Sequence, residues 1–402
     1  MYKRQIEDGC AFSLLRISEF QDGSYEVWKL GCENEMADGR IGKFILCNEI
    51  KINKMRIAHI HWSLGTGGIE TMLPDIANEQ AKTNEVALII INDWVEPSIL
   101  AKVNQERVKV VLLNRHEGSK NPMPIIKLNL FLMRFRPDVI HTHAYREINL
   151  VFYPFGKRVR TIHNTYNVSD EYPKYDKLIS ISKAVYEFTL NQGFDSVVAD
   201  NGIPVSRIVH TKVAPFSDGK LHFVQVSRLY IEQKGQDILL NALGVLKNND
   251  GFTNFKMHFV GNGESEDMLK SMVQNLHLEN EVVFEGLKDQ SWVYQNLCNY
   301  DLFIQPSRYE GFGLTVAEAI AAKVPVLVSN IEGPLEIIDG GRLGMSFENK
   351  MVKDCAEKIK QFILNGRNDK QVEDAYQYVK SHYDVSVTAL KYLEVYESIF
   401  KK

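Results

Sequence analysis

The residues best suited to chemistry lie in one segment of the chain, Ile304–Asn330. Within it, seven residues separate Glu310 from Glu318, and Gly311 and Gly313 stand just before a helical pattern. Glycines here let backbone N–H groups approach an anion, and the following helix N-terminus favours negative charge. The segment therefore predicts an anion-binding loop beside two carboxylates. The residues alone are equally compatible with a capping role for Glu310 and a solvated helix position for Glu318.

A pair of cations follows a second apolar pattern. Arg228 comes at the end of Leu221–Leu229, and Lys234 lies six residues further on in the next loop, so both can reach one point. A third apolar pattern ends in FVGNGE, where Gly261 would let a flat ring or a ribose approach the backbone closely. Taken separately, these are two surface charges and a turn. Taken with the two glutamates, they predict a site for an anionic ligand.

The elements that position these residues alternate between apolar strands and helices. The alternation begins at Met55–Trp62, which runs into a glycine-rich turn containing Gly67 and Gly68, and it restarts at Leu221. Near-continuous apolar strands separated by helices are typical of parallel α/β sheets, whose ligands bind beyond the carboxyl ends of the strands. We therefore predict two Rossmann-like parallel-sheet domains that face a cleft.

The predicted boundaries follow from these patterns. Residues 54–210 form the first domain, residues 211–384 the second, and residues 385–402 a terminal helix with apolar residues at helical spacing. Residues 1–53 show weak periodicity and no recognisable chemistry, so they are predicted to be an N-terminal extension of unknown role.

Composition narrows the class of protein. A formal net charge of −4 argues against nucleic acid as a partner, because no strong positive field is available. The five cysteines form no CxxC pair, which argues against a disulfide or metal framework and favours a reducing cytoplasm. The N-terminus lacks the apolar core of a signal peptide, and no apolar run approaches the about 18 residues of a membrane span. A cytoplasmic enzyme is expected, either free in the cytoplasm or peripheral at the inner face of the membrane.

The combined motifs resemble the large family 4 of retaining glycosyltransferases, which have the GT-B fold, a helix returning to the first domain, and no bound cofactor. The resemblance rests on the two glutamates, SRL…KG, FVGNGE, the NGIP turn at Asn201–Pro204 and the GTGG turn, and it covers Met55 to Lys402. It implies that Arg228 and Lys234 hold the donor diphosphate, that Glu318 holds the ribose and that Glu310 lies at the donor sugar. The remaining implied donor contacts are Gly67, Gly68, Gly261, Gly311, Phe312, Gly313 and Leu314.

The resemblance also implies substrates: a nucleotide sugar, expected to be a UDP-sugar, and a carbohydrate or lipid-linked acceptor. No Asp-x-Asp pair is present, so no metal is expected at the diphosphate. Alternatives in the same fold are a sugar phosphorylase and a nucleotide-sugar epimerase. An NAD-dependent dehydrogenase is disfavoured because GTGG lacks the third glycine of GxGxxG, and a non-catalytic binding protein is disfavoured by the paired glutamates and cations.

Two further segments have competing interpretations. The pairs HIH (His59, His61) and HTH (His141, His143) place imidazoles on one side of a strand, where they could chelate a metal, but no HExxH or comparable pattern supports zinc. The resemblance singles out His143 as a catalytic candidate near the reacting sugar. The basic, apolar stretch Pro124–Arg136 fits either a helix packed on the sheet, which we favour, or a helix lying on an anionic membrane surface.

Overall fold

The computed structural model describes residues 14–19, 25–31, 45–52, 54–65, 67–165, 169–214 and 216–401. The first three ranges are strands β1, β2 and β3, which pair antiparallel in that order: Leu14–Glu19, Tyr25–Gly31 and Ile45–Ile52. The weak periodicity of this part of the sequence had indicated no such sheet.

A seven-stranded parallel sheet forms the first α/β unit, in the order β10-β9-β8-β7-β4-β5-β6. Its strands are β4 Arg56–His61, β5 Glu85–Asn92, β6 Val108–Arg115, β7 Val139–Thr142, β8 Lys157–Ile162, β9 Lys177–Ser180 and β10 Val197–Val198. Its helices are α1 Gly68–Gln80, α2 Pro97–Leu100, α3 Met123–Phe135 and α4 Lys183–Asn191. The central strands are buried along their length because helices cover both faces, which explains their unbroken apolar runs.

A six-stranded parallel sheet forms the second unit, in the order β13-β12-β11-β14-β15-β16. Its strands are β11 Leu221–Val226, β12 Phe255–Val260, β13 Val282–Gly286, β14 Leu302–Gln305, β15 Val326–Ser329 and β16 Met345–Phe347. Its helices are α5 Ile231–Lys234, α6 Gln236–Asp250, α7 Glu266–Asn275, α8 Gln290–Asn296, α9 Leu314–Ala321, α10 Glu332–Ile337, α11 Val352–Asn365 and α12 Asp369–His382.

The last helix, α13 (Val385–Phe400), returns to the first unit. Its buried Tyr392, Leu393 and Tyr396 join the apolar cluster formed by α1 and the face of the first sheet beneath it. The helical spacing of apolar residues had predicted this helix, and the resemblance had implied its return to the first domain.

Strand order reverses once in each sheet, between β4 and β7 in the first and between β11 and β14 in the second. A reversal leaves a crevice at the carboxyl ends of the two strands concerned, and ligands bind there in open α/β sheets. The predicted site segments follow these four strands in the chain: the Gly67 turn after β4, His143 after β7, Arg228 after β11 and Glu310 after β14. The topology therefore places the site where the two reversals face each other.

Candidate functional site

A cavity of about 1050 Å³ lies between the two units, with walls from both. Every predicted site residue except His143 lines it, namely Gly67, Gly68, Arg228, Lys234, Gly261, Glu310, Gly311, Phe312, Gly313, Leu314 and Glu318. His143 lies behind the wall and is 2% exposed. The structure thus brings together residues that the sequence separates by up to 251 positions, from Gly67 to Glu318.

Two glycines of the cavity wall are required by close backbone approach. Gly261 has a φ of 140°, and a Cβ there would lie 2.0 Å from the carbonyl oxygen of Ser227. At Gly311 a Cβ would lie 2.7 Å from the carbonyl oxygen of His163, which belongs to the first unit. The Ser182 hydroxyl also donates to the Gly311 carbonyl at 2.8 Å, so the glutamate loop touches the opposite domain at this point.

Helix α9 begins directly at the cavity. Gly313 is its N-cap with a φ of 112°, and no side chain caps it. Its first-turn residues Leu314 and Thr315 line the cavity. An uncapped helix N-terminus carries a partial positive charge and unpaired N–H groups, which suit a phosphate.

The two predicted cations differ in their surroundings. Lys234 lies in the wall and its Nζ donates to both carboxylate oxygens of Glu310, at 2.7 and 2.8 Å. The side chains of this pair are only 16% and 13% exposed. Arg228 lies at the mouth, 69% exposed, and its Nε donates to Glu264 at 3.0 Å. Two hydrogen bonds fix the position of the partly buried lysine, whereas the exposed arginine can reorient toward an entering anion.

Glu318 is more buried than the sequence suggested, with 6% exposure. Burial raises its pKa to about 7, although the side chains of Gln290 and Tyr294 and the charge of Lys102 act in the opposite direction. Lys102 belongs to the first unit, and its Nζ donates to the Gln290 carboxamide oxygen on α8. The residue predicted to hold a ribose therefore lies beside a contact between the two domains.

A chain of hydrogen bonds leads from α13 to His143 behind the cavity wall. Tyr396 contacts His141 Nδ1 at 2.5 Å and accepts from the Gln80 amide, whose oxygen contacts His59 Nε2 at 2.7 Å. His59 Nδ1 then contacts His143 Nε2 at 3.1 Å. Because the Gln80 oxygen can only accept, His59 carries its proton on Nε2, and His143 must donate from its own Nε2. The Nδ1 lone pair of His143 is left without a partner among the described residues.

Burial lowers the pKa of these histidines. The pKa of His59 falls to about 4 and that of His163 to about 3, and those of His141 and His143 lie well below the ordinary value, so all four are neutral at pH 7. His61 differs: burial lowers its pKa, but the nearby Glu147 and Glu70 carboxylates outweigh it and raise the pKa overall.

Within the described part of the chain, His59, His141 and His143 also form a group that could hold a metal ion, with one ring nitrogen from each within 4.8 Å of the others. Protein hydrogen bonds already engage five of their six ring nitrogens, all except His143 Nδ1: His141 Nε2 contacts Thr161 at 2.8 Å, and the other contacts belong to the chain that ends at His143. Neutral imidazoles in a hydrogen-bonded network account for this cluster without an ion.

Several cavity residues were not identified from the sequence. Trp94 is 65% exposed in the wall of the first unit, and Asn201 of the NGIP turn has a buried carboxamide oxygen without a partner among the described residues. His163 also lines the cavity, and neither of its ring nitrogens has a hydrogen-bond partner among the described residues. Lys102 and Gln290 hydrogen-bond to each other from opposite domains. Neither local sequence pattern predicts this contact. For Asn201 and His163 the signal existed, since each follows an apolar strand pattern.

Comparisons with known proteins agree with this geometry. Residues 66–207 match the family described as Glycosyltransferase Family 4, and residues 207–381 match the family described as Glycosyl transferases group 1. The boundary between the two matches falls just before the second sheet begins.

Among curated proteins, the chain is similar to the poly(ribitol-phosphate) alpha-N-acetylglucosaminyltransferase of Staphylococcus aureus strain COL, with 29% identity over 195 residues. That match covers 48% of this chain and 38% of the relative. The chain spans less than two thirds of the length of the first curated relatives it matches, between 38% and 59%.

Solved structures share the fold. A glycosyltransferase from Rickettsia africae ESF-5 superposes with a TM-score of 0.73 at 22% identity, covering 87% of this chain and all of that one. HepE from Anabaena, solved in complex with UDP and glucose, superposes with a TM-score of 0.71 at 18% identity, covering 86% of this chain and all of that one. Two parallel-sheet domains facing a cleft, with a returning helix, are thus confirmed as the architecture.

Proposed function

We propose that this chain, which belongs to the GT-B glycosyltransferases of family 4, transfers a hexose-type sugar from a nucleoside diphosphate to an acceptor hydroxyl with retention of configuration. The observation that carries the proposal is the partly buried Lys234–Glu310 pair beside the uncapped start of α9. One wall of the cavity thereby offers a fixed cation and helix N–H groups for a diphosphate, together with a carboxylate for the sugar.

The proposed reaction is a front-face displacement. The acceptor oxygen forms a bond to the anomeric carbon while the bond from that carbon to the phosphate oxygen breaks, and the acceptor proton passes to the departing phosphate. No protein base is needed for that proton, which suits a site whose carboxylate Glu310 is already held by Lys234. As the bond breaks, negative charge grows on the diphosphate. Lys234, Arg228 and the N-terminus of α9 would stabilise it from fixed positions.

The nucleoside end of the donor would meet Glu318. A carboxylate that accepts from two vicinal ribose hydroxyls makes two charge-assisted hydrogen bonds. Since burial raises the pKa of Glu318 to about 7, its carboxylate form is favoured only above neutral pH. Donor binding should then strengthen as the pH rises through 7.

His143 would act next to the reacting sugar from behind the wall, through its free Nδ1 lone pair. His163, whose ring nitrogens lack partners among the described residues, lies between it and the cavity, with its ring centroid 5.8 Å from that of His143. Neutral imidazoles there can accept from or donate to sugar hydroxyls without adding charge beside the leaving group.

We further propose that the reaction needs no divalent metal and that the donor is a UDP-sugar. Lys234, Arg228 and the α9 N-terminus provide positive charge where a metal would otherwise bridge the phosphates. The donor proposal is supported by the fold shared with HepE in complex with UDP and glucose. The acceptor would be a carbohydrate or lipid-linked glycan of surface polysaccharide or glycoconjugate synthesis, on the cytoplasmic side, in line with the poly(ribitol-phosphate) relative.

A thermal-shift panel of UDP, GDP, ADP and their sugars tests the donor site. A ligand at a hundred times its dissociation constant stabilises a protein by about 2.7 kcal/mol, which is readily measured. We expect UDP and UDP-sugars to give the largest shifts. If no nucleotide stabilises the chain, the proposed donor site is wrong. Release of sugar that depends on added phosphate would instead favour a phosphorylase.

A further inference from the structure

Helix α3 is apolar on its outer side as well as on its inner side. Its inner residues are buried in the sheet contact: Pro124, Leu128, Leu132 and Phe135. Four large apolar residues on the outer side are 46–64% exposed: Met123, Ile126, Leu130 and Met133. Spacings of three and four residues align these four in one stripe. Packing on the sheet, the role favoured from the sequence, therefore explains only half of the helix.

The loop after β7 extends this apolar stripe. Phe152 and Phe155 are 71% and 65% exposed, the two most exposed phenylalanines among the described residues. Asn129 of α3 fixes the loop, because its amide donates to the Leu150 carbonyl at 2.9 Å and its oxygen accepts from the Phe152 N–H at 2.6 Å. Met133 and Phe155 line one surface depression. We call the six residues Met123, Ile126, Leu130, Met133, Phe152 and Phe155 the α3 face.

Basic residues predominate in the segment that carries the α3 face, although the net charge of the chain is −4. Between Gly118 and Arg158 the sequence has seven basic residues and two acidic ones. Both acidic side chains have partners within the protein. Glu147 is fully buried, and the Asp138 carboxylate accepts a hydrogen bond from the Arg56 backbone N–H at 2.7 Å. Lys127 and Arg134 lie one helical repeat of seven apart and are both exposed.

We propose that the α3 face docks on an anionic lipid surface. An exposed apolar stripe flanked by Lys and Arg, in a segment with seven basic and two acidic residues, fits the polar–apolar boundary of such a bilayer. Contiguous exposed apolar surface of this kind marks an interaction site in a soluble domain. Among the helices of the described residues, none has the length and apolarity that spanning a bilayer requires.

The α3 face reaches the edge of the first sheet that is opposite the cleft. Met133 and Phe155 share their depression with Arg56 and Gly156, at the amino ends of β4 and β8, whereas the cleft lies at the carboxyl ends of the strands. The segment from His143 to Phe155 joins the two regions, and the Trp62 indole fixes its start by donating to the Tyr145 carbonyl at 2.8 Å. Docking through the α3 face therefore leaves the cleft open and does not depend on the proposed function. The partner is the anionic headgroup layer itself, whatever acceptor it carries.

Vesicle flotation with the full chain tests the docking without any substrate. We expect strong binding to vesicles of phosphatidylcholine with phosphatidylglycerol, weak binding to phosphatidylcholine alone, and loss of the difference at high salt. The double variant Leu130→Glu/Phe152→Glu should lower the partition coefficient at least tenfold. Leu364→Glu is the matched control, because Leu364 is 67% exposed on α11 of the other domain. Lys127→Glu/Arg134→Glu should also lose binding, whereas Lys353→Glu/Lys370→Glu should not.

Equal binding of the native chain to both vesicle types, or none to either, would overturn the proposal without recourse to any variant. Light scattering could instead show dimers that Leu130→Glu dissociates. Together with an absence of vesicle binding, this result would overturn the proposal and assign the α3 face to contact with a second copy of the chain. UDP binding, measured on the same samples by calorimetry, should be equal in all variants. Vesicle binding without UDP binding would refute the donor site and leave the docking proposal intact. UDP binding without vesicle binding would refute the docking proposal and leave the donor site intact.

Discussion

Replacing Glu318 by glutamine should stabilise the fold and weaken the donor site at the same time. Burial raises the pKa of Glu318 from 4.5 to about 7. Because the folded pKa lies above the unfolded one, the folded state binds more protons between these values, and stability is lost as the pH rises through that window. With 1.36 kcal/mol per pKa unit, the 2.5-unit shift amounts to about 3 kcal/mol of destabilisation above pH 7.

Glutamine is neutral at every pH and similar in shape, so Glu318→Gln should remove this penalty. Urea unfolding at pH 8 should show a gain of up to about 3 kcal/mol, and at pH 4, where Glu318 is mostly protonated in both states, a gain near zero. Glu279→Gln is the control, since Glu279 is an exposed carboxylate of the same domain and its replacement should change neither value. The variant should bind UDP more weakly than the native chain at pH 8.

The native chain should in turn bind UDP more tightly at pH 8 than at pH 6, with the largest change near pH 7. Isothermal titration calorimetry at each pH measures this directly. A Glu318→Gln variant that is no more stable at pH 8 would refute the argument from burial. Unchanged UDP affinity in that variant would refute the assignment of Glu318 to the ribose.

Three other predictions concern the site and the N-terminal segment. Glu310→Gln should lower kcat by orders of magnitude with little change in UDP affinity or melting temperature, and near-normal turnover would remove Glu310 from the reaction. Lys234→Ala should cost about 2–4 kcal/mol of transition-state stabilisation in kcat/KM, because Lys234 is held in place by Glu310 and is only 16% exposed. Arg228→Ala should cost less, because Arg228 is 69% exposed. Equal losses in the two variants would contradict this ranking. A chain starting at Lys54 should fold and bind UDP, and an insoluble product would show that residues 1–53 complete the core.

The sequence predicted the two sheets well because parallel strands covered on both faces must be apolar throughout, as in β4 and β5. It also located the cleft, because polar residues follow the strands at which the order reverses. These features are local to each strand end. Strands β1 to β3 were missed because their sequences alternate too weakly to indicate pairing, and antiparallel pairing depends on partners rather than on any one segment.

What the sequence could not give depends on contacts between distant segments. The surroundings of Glu318 include Lys102 and Gln290, which are 188 residues apart and hydrogen-bond to each other. The tautomer of His143 is set by a chain of hydrogen bonds that includes Gln80 and Tyr396, which are 316 residues apart. The exposure of Leu130 could not be separated from the burial of Leu128, because both are leucines of one apolar helix and only the sheet beneath it distinguishes them.

The proposed reaction transfers a sugar from a nucleoside diphosphate with retention of configuration and without a metal. It is tested most directly by proton NMR of the reaction of an α-linked UDP-sugar in excess EDTA, with a panel of sugar acceptors. We expect release of UDP together with a product whose new linkage is also α. A β-linked product would contradict retention. Loss of turnover in EDTA that Mn²⁺ or Mg²⁺ restores would contradict the role given to Lys234, Arg228 and the α9 N-terminus.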